Sequence, residues 1–343
     1  MNWSQIKEFL DCDGVPLDSN SELLSKGLLV FCNSNSIVQI YATNSLKKLD
    51  FTKDIDYNIQ VFNNKFYFIK GKTLYSLSND LKGFGAVYEA KEENLSLISE
   101  NFCKDFTSKR NPRTFVNYIV DLKSKDFVYY WEDGKSLLFE MDNNFYFQTK
   151  FKGNLFKVDI KTNRLIWEIE IDNGIAGKRY YQAVSLNKYL FIRQLDGYYN
   201  LFNLNLENGN VIWEIEKTLY YYNYDDKLKK VFGLGGKTFE IINVETGERE
   251  LQKELSENLH IASHLTYYRD GYLYFSGYRD NNIPVFGAVD VKTGELVFTQ
   301  TVEMPGEKSF RKGLDRPVVV GNRLYVRDAM KTLHIYERID TEA

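Results

Sequence analysis

DIKTNRLIWE (159–168) has three echoes downstream: NLENGNVIWE (205–214), NVETGERELQ (243–252) and DVKTGELVFT (290–299). Each begins with Asp or Asn, passes through Thr-Asn, Asn-Gly or Thr-Gly, and then reaches a large apolar residue: Trp167, Trp213, Leu251 or Phe298. The starts lie 46, 38 and 47 residues apart, the period of a repeated four-stranded unit rather than of a helical solenoid. Apolar residues flank the Asp or Asn on both sides (Val158 and Ile160, Leu204 and Leu206, Ile242 and Val244, Val289 and Val291), the alternation of a half-buried strand. The side-chain oxygen can accept backbone N–H groups of the following turn. Gly209, Gly247 and Gly294 supply the positive φ that a tight hairpin needs, and Asn163 takes that place in the first copy. The repeated Asp/Asn is therefore read as structural.

Weaker copies extend the array. IVQIYATNSLKKLDF (37–51), TLYSLSNDLKGFGAVYE (73–89) and YIVDLKSKDFVYYWE (118–132) repeat the strand–turn–strand rhythm, and LHIYERIDTEA (333–343) starts another such strand. The turns fall near 44, 80, 123, 162, 208, 246, 293 and 340. The last unit lacks an outer strand, whereas Asn2-Trp3-Ser4-Gln5-Ile6-Lys7 matches the strands around Trp167 and Trp213. Pairing the first strand with the last unit would remove an exposed edge. The expectation is an all-β chain, one domain over 1–343. It folds as a single closed β-propeller of about eight four-stranded blades, seven being the alternative, with the N-terminal strand completing the last blade.

These repeats resemble those of the PQQ-like, quinoprotein-type β-propellers, whose blades carry a D-x-x-T-G-x-x-x-W type signature. Asp159, Thr162 and Trp167 match it, as do Asn205, Gly209 and Trp213; Asn243-Thr246-Gly247 and Asp290-Thr293-Gly294 keep the turn without the Trp. The resemblance covers about 150–300 and implies the fold. The quinone enzymes of that superfamily also bind a quinone with calcium, but this chain has no adjacent cysteine pair and no acidic ligand cluster that sequence can place. No cofactor and no metal are expected.

The composition agrees with pleated surfaces: 25 Tyr and 24 Phe among 343 residues, with 5 Pro. A net charge of −3 provides no global attraction to nucleic acid or anionic membrane. Residues 1–14 show no basic stretch followed by an apolar one, and no apolar run reaches membrane-spanning length. Cys12, Cys32 and Cys103 are odd in number and widely spaced, so reduced thiols and a cytoplasmic protein are expected.

Chemistry is sparse. His260 and His264 share an H-x-x-x-H spacing, but on a strand they stand about 13 Å apart, too far for one metal. Gly233-Leu234-Gly235-Gly236 reads as a hairpin turn. Tyr180-Tyr181, Tyr198-Tyr199, Tyr220-Tyr221-Tyr222 and Tyr267-Tyr268 recur at strand starts, where alternate rings pack inward.

The long connections at 104–113, 171–179, 279–283 and 302–316 are read as joining second to third strands or one blade to the next, hence as emerging on one face. Together they are net positive on an acidic chain. The predicted partner-binding set is Lys109, Arg110, Lys178, Arg179, Tyr180, Tyr181, Arg279, Lys308, Phe310 and Arg311. The functional expectation is a non-enzymatic, monomeric propeller that holds or inhibits a protein partner with an acidic surface, as a bacterial immunity or antitoxin-type protein would. The alternative is a propeller enzyme, a lyase or glycoside hydrolase, with its site at the channel mouth.

Overall fold

The structure is a computed structural model that describes residues 2–9, 28–32, 38–42, 47–49, 59–62, 65–77, 84–92, 94–110, 113–132, 135–141, 144–149, 154–169, 190–195, 198–256, 258–302 and 313–339. Among these residues the chain is all-β apart from one short 3-10 turn, and each sheet is antiparallel.

Strand β1 (Asn2–Phe9) belongs to the last sheet. The first sheet in sequence is β2 (Leu28–Cys32), β3 (Val38–Ala42) and β4 (Lys47–Leu49). Next come β5 (Ile59–Phe62), β6 (Lys65–Lys70), β7 (Thr73–Leu77) and β8 (Phe84–Glu89), then β9 (Asn94–Leu97), β10 (Phe102–Arg110), β11 (Arg113–Asp121) and β12 (Phe127–Glu132). The fourth is β13 (Lys135–Met141), β14 (Asn144–Thr149), β15 (Leu155–Asp159) and β16 (Arg164–Ile169); the fifth is β17 (Leu190–Leu195), β18 (Tyr198–Leu204) and β19 (Val211–Thr218). The sixth is β20 (Asn223–Asp225), β21 (Lys230–Gly235), β22 (Thr238–Asn243) and β23 (Arg249–Glu254); the seventh is β24 (His260–Arg269), β25 (Tyr272–Arg279), β26 (Ile283–Asp290) and β27 (Leu296–Thr301). The eighth has the order β1, β30 (Leu333–Ile339), β29 (Arg323–Arg327), β28 (Val318–Val320).

The repeated turn forms as its residues dictate. Asp121, Asp159, Asn205, Asn243 and Asp290 each accept backbone N–H groups two or three residues on, at 2.7–3.4 Å. The residue four places on has positive φ in every copy: Lys125, Asn163, Gly209, Gly247 and Gly294. The strand that follows carries one extra residue opposite the ladder, namely Val128, Ile166, Glu250 or Val297. This bulge sets Trp167 opposite Lys157 and Phe298 opposite Ala288, so the next large side chain turns inward.

The described residues form two compact units, 55–214 and 1–54 with 215–343. In the first, consecutive sheets share aromatic cores. Tyr67, Leu74 and Tyr88 meet Cys103 and Val120; Phe102, Ile119 and Trp131 meet Phe145, Phe147 and Phe156; Tyr146 and Trp167 meet Phe202 and Leu204. Cys103 is a free buried thiol, pushed up to about 12 by burial and then by the Asp105 charge. Trp167 is buried and donates from Nε1 to the Leu206 carbonyl at 3.0 Å. Trp213 is only half-buried, a departure from the inward packing its repeat position implied.

In the second unit, Phe232, Phe239 and Ile241 pack on Leu273, Phe275 and Val289, with Leu251 against them. Trp3, Leu324 and Tyr336 pack on Tyr274 and Phe286, with Phe298 against them. The expected strand pairing is present: β1 runs antiparallel to β30 from Asn2 opposite Ile339 to Phe9 opposite Leu333. The Gly-rich stretch differs from its reading. Gly233 and Gly235 lie within β21, and the turn falls at Gly236 (φ +60°). Gly233 is needed for space, because a Cβ there would come within 2.6 Å of the Tyr222 ring.

Candidate functional site

Lys178, Arg179, Tyr180, Tyr181, Lys308, Phe310 and Arg311 lie outside the described residues. Lys109 and Arg110 close β10, their backbones opposite Thr114 and Arg113. The segment 104–113 is thus no long loop but part of a hairpin of two nine-residue strands. Its charges hid the strand from the sequence reading, and cross-strand pairing outweighed their low β-propensity. Asp105, counted there as loop charge, is fully buried: it accepts from the Tyr88 hydroxyl and the Lys91 N–H at 2.8 Å each. Arg279 ends β25, half-buried, and donates to the Thr299 hydroxyl on β27.

Within the unit holding 215–343, one end of three sheets gathers the connecting segments. In the seventh sheet, the 3-10 turn Asp280–Asn282 between β25 and β26 lies at the same end as the close of β27, since Val285 faces Thr301. In the eighth, Leu314 bridges Asp328 beside the β29–β30 turn. In the sixth, Gly236 of the β21–β22 turn bridges Ile261 of β24. Ser276 donates to the Asp315 carbonyl at 2.7 Å, and the Asp315 carboxylate is held by Arg327 at 2.5 Å.

Four side chains meet at this end. Tyr220 and Tyr221 come from the segment between β19 and β20, His264 from β24, and Arg316 from the segment before β28. The Tyr220 hydroxyl hydrogen-bonds His264 Nδ1. Arg316 donates from Nε and Nη2 to the His264 carbonyl at 3.0 and 2.8 Å, and its guanidinium carbon lies 5.0 Å from the Tyr221 ring centre. Burial first, then the Arg316 charge, pushes the His264 imidazole below its ordinary 6.5. Beneath them Tyr222 is fully buried and bonds Glu240, whose other oxygen meets Arg249 Nε at 3.0 Å. Burial and the Glu240 charge hold the Tyr222 phenol far above its ordinary value.

The sequence flagged the tyrosine run and counted Arg316 among the loop charges without joining them to His264. The available signal was the broken alternation in HIASHLTYYR, where Ala262 and Ser263 interrupt the strand pattern. Among the described residues no group of three or more His, Cys, Asp or Glu is placed to hold a metal ion.

No family model and no curated protein matches this chain. Among solved structures, Sqt1 of Saccharomyces cerevisiae superposes with a TM-score of 0.55 at 9% identity, covering 92% of this chain and 93% of that one. The quinohemoprotein alcohol dehydrogenase of Comamonas testosteroni gives 0.56 at 9% identity, covering 99% of this chain and 78% of that one. BamB of Moraxella catarrhalis gives 0.35 at 10% identity over 92% of this chain and 81% of that one, too loose to argue from. At such identities the likeness to the first two concerns the fold alone, an all-β arrangement of the β-propeller type.

Proposed function

We propose that this chain is a non-enzymatic protein-binding propeller: one closed ring of eight blades, cytoplasmic, holding an acidic partner on the end where its longer connections emerge. The carrying observation is the gathering of Tyr220, Tyr221 and Arg316 from two inter-sheet segments at one end of three sheets, with Arg279 closing β25 at the same end of the seventh. Tyr and Arg are the residues that dominate the energy of protein interfaces, and rigid sheets with functional connecting segments are the usual way to present them. Lys109, Arg110, Lys178, Arg179, Lys308 and Arg311 would add rim charge and speed encounter, with Tyr180, Tyr181 and Phe310 as further anchors. An inhibitor of the bacterial immunity or antitoxin type is the concrete version of this reading. The Tyr220–His264 contact favours one second reading, a lyase or hydrolase, because a phenol bonded to an imidazole can pass a proton.

Site-specific photo-crosslinking in the producing cell tests the proposal. A benzophenone amino acid at Tyr221 or Arg279 is expected to capture one discrete protein, and one at Lys161 or Thr246, on the short-turn end, is expected to capture none. Capture through the short turns alone, or through neither set, overturns the reading.

A further inference from the structure

The turn of the fifth sheet departs from its copies at one residue. Three places after the capping Asp or Asn, the other copies carry hydroxyls, Ser124, Thr162, Thr246 and Thr293, whereas the fifth sheet has Asn208. The local task is the same. Ser124 Oγ, Thr246 Oγ1 and Thr293 Oγ1 accept the backbone N–H two residues on at 3.2–3.3 Å, and Asn208 Oδ1 accepts that of Asn210 at 2.9 Å. A hydroxyl therefore serves this turn, and the fold does not call for an amide. What the amide adds is reactivity, because Asn208 precedes Gly209. With no side chain on Gly209, nothing shields its backbone nitrogen from the carboxamide carbon of the residue before it. The turn itself holds that reaction off. Asn208 is exposed, but Gly209 is buried at φ +78°, and its N–H donates to the Asn205 carbonyl at 2.8 Å. A nitrogen so bonded cannot swing onto the carboxamide until the turn opens. Opening is resisted by the fourth sheet: a Cβ on Gly209 would lie 3.0 Å from both Trp167 Cδ2 and Ile169 Cγ2. Trp167 Nε1 and Lys157 Nζ also donate to the Leu206 carbonyl of the same turn, at 3.0 and 2.9 Å.

We propose that Asn208 is a self-modification site, a deamidation site gated by the seating of the 205–210 turn on Trp167, so that its conversion records each opening of this turn irreversibly. In the reaction the Gly209 nitrogen forms a bond to Asn208 Cγ and the Cγ–Nδ2 bond breaks. Ammonia leaves with the proton that the Gly209 nitrogen gives up. Water then opens the cyclic imide at one of its two carbonyls, giving aspartate or isoaspartate; nothing is oxidised or reduced. Both products place a new carboxylate next to Glu207. Isoaspartate also lengthens the backbone by one carbon, and a turn already in contact with Trp167 and Ile169 has no room for it. The opened turn is then kept from reseating by its own chemistry.

Peptide mapping by mass spectrometry of the full-length protein, incubated at mildly alkaline pH, tests this. The other Asn-Gly pair of the chain, Asn173-Gly174, lies outside the described residues, and its peptide is followed separately. Asn208 is expected to convert at least tenfold more slowly in buffer than in urea sufficient to unfold the chain. Trp167→Phe, which loosens the seat of Gly209, is expected to raise the rate in buffer threefold or more. If that variant unfolds, Ile169→Ala, which removes the other contact, carries the test. Asn208→Thr is expected to abolish the product and to melt like the parent, since Thr fills this position in three other copies. No conversion at Asn208 in urea overturns the site. Equal rates in buffer and in urea overturn the gate, and an unchanged rate in the folded variant overturns the part given to the fourth sheet. An Asn208→Thr protein melting well below the parent overturns the reading that the turn has no need of the amide.

Discussion

Trp3 lies opposite Arg338 in the β1–β30 ladder, two residues before Asp340, and its ring is 6.3 Å from that of Phe298 on the neighbouring sheet. That is the register of the repeats themselves. Trp167 lies opposite Lys157, Leu251 opposite Ile241 and Phe298 opposite Ala288, each partner two residues before the turn Asp or Asn. The N-terminal strand therefore acts as the fourth strand of the eighth sheet, and Trp3 is its repeat tryptophan.

Trp3→Ala should destabilise the protein by about 3–5 kcal/mol, the usual cost of emptying a large buried aromatic site. Removing residues 1–9 should cost more, since it also exposes the β30 edge. Trp3→Phe should be far milder: the indole N–H is buried with no hydrogen-bond partner among the described residues, and deleting such a group relieves a penalty. Urea unfolding of the three variants checks this, and a truncated chain melting like the intact one would contradict it.

Trp167 and Trp213 should separate. Trp167→Ala should cost about 3–5 kcal/mol, because the indole is enclosed by Tyr146, Phe202 and Leu204. Trp213 is half-buried, so Trp213→Ala should cost roughly half as much or less, in proportion to the apolar area it covers. Equal losses in paired denaturation curves would show that the two repeat positions are equivalent after all.

Lys125 occupies the left-handed turn position filled by glycine in three other copies, with φ +64°. Strain of a side chain there costs about 1 kcal/mol. Lys125→Gly should therefore stabilise the protein slightly or leave it unchanged, whereas Gly247→Ala, at φ +74°, should destabilise it. Thermal melts decide the sign.

His264 binds its proton more weakly in the folded chain than in the unfolded one. The stability tied to it is present above about pH 6.5 and is lost as pH falls through the depressed folded value. His264→Gln should flatten the stability profile between about pH 7 and 5. Asp159, Asp225, Asp226 and Glu250 are also held low, and their loss follows below about pH 4. Parallel profiles for the two proteins across the upper window would refute the assignment.

Much of the fold could be read before any coordinates. The Asp/Asn turn, its positive-φ residue and the large apolar residue eight places on are local, repeated and chemically explicit, so the sequence alone determined the hairpins at 159–168, 205–214, 243–252 and 290–299 and the likeness of NWSQIK to an outer strand. The predicted binding residues were less legible. Lys109 and Arg110 looked like loop charge because charge obscures a strand whose partner supplies its order, and Arg279 gave no hint of its hold on Thr299. Only the tertiary structure brought Tyr220, His264 and Arg316 together. They stand 44 and 52 residues apart in the chain, and their meeting depends on a three-residue excess in β24, where the His264 carbonyl is bound by an arginine three strands further along the chain, in the approach to the next sheet. Periodicity reports which way a side chain faces within its own strand; it carries no information about which distant segment satisfies the backbone where that periodicity breaks.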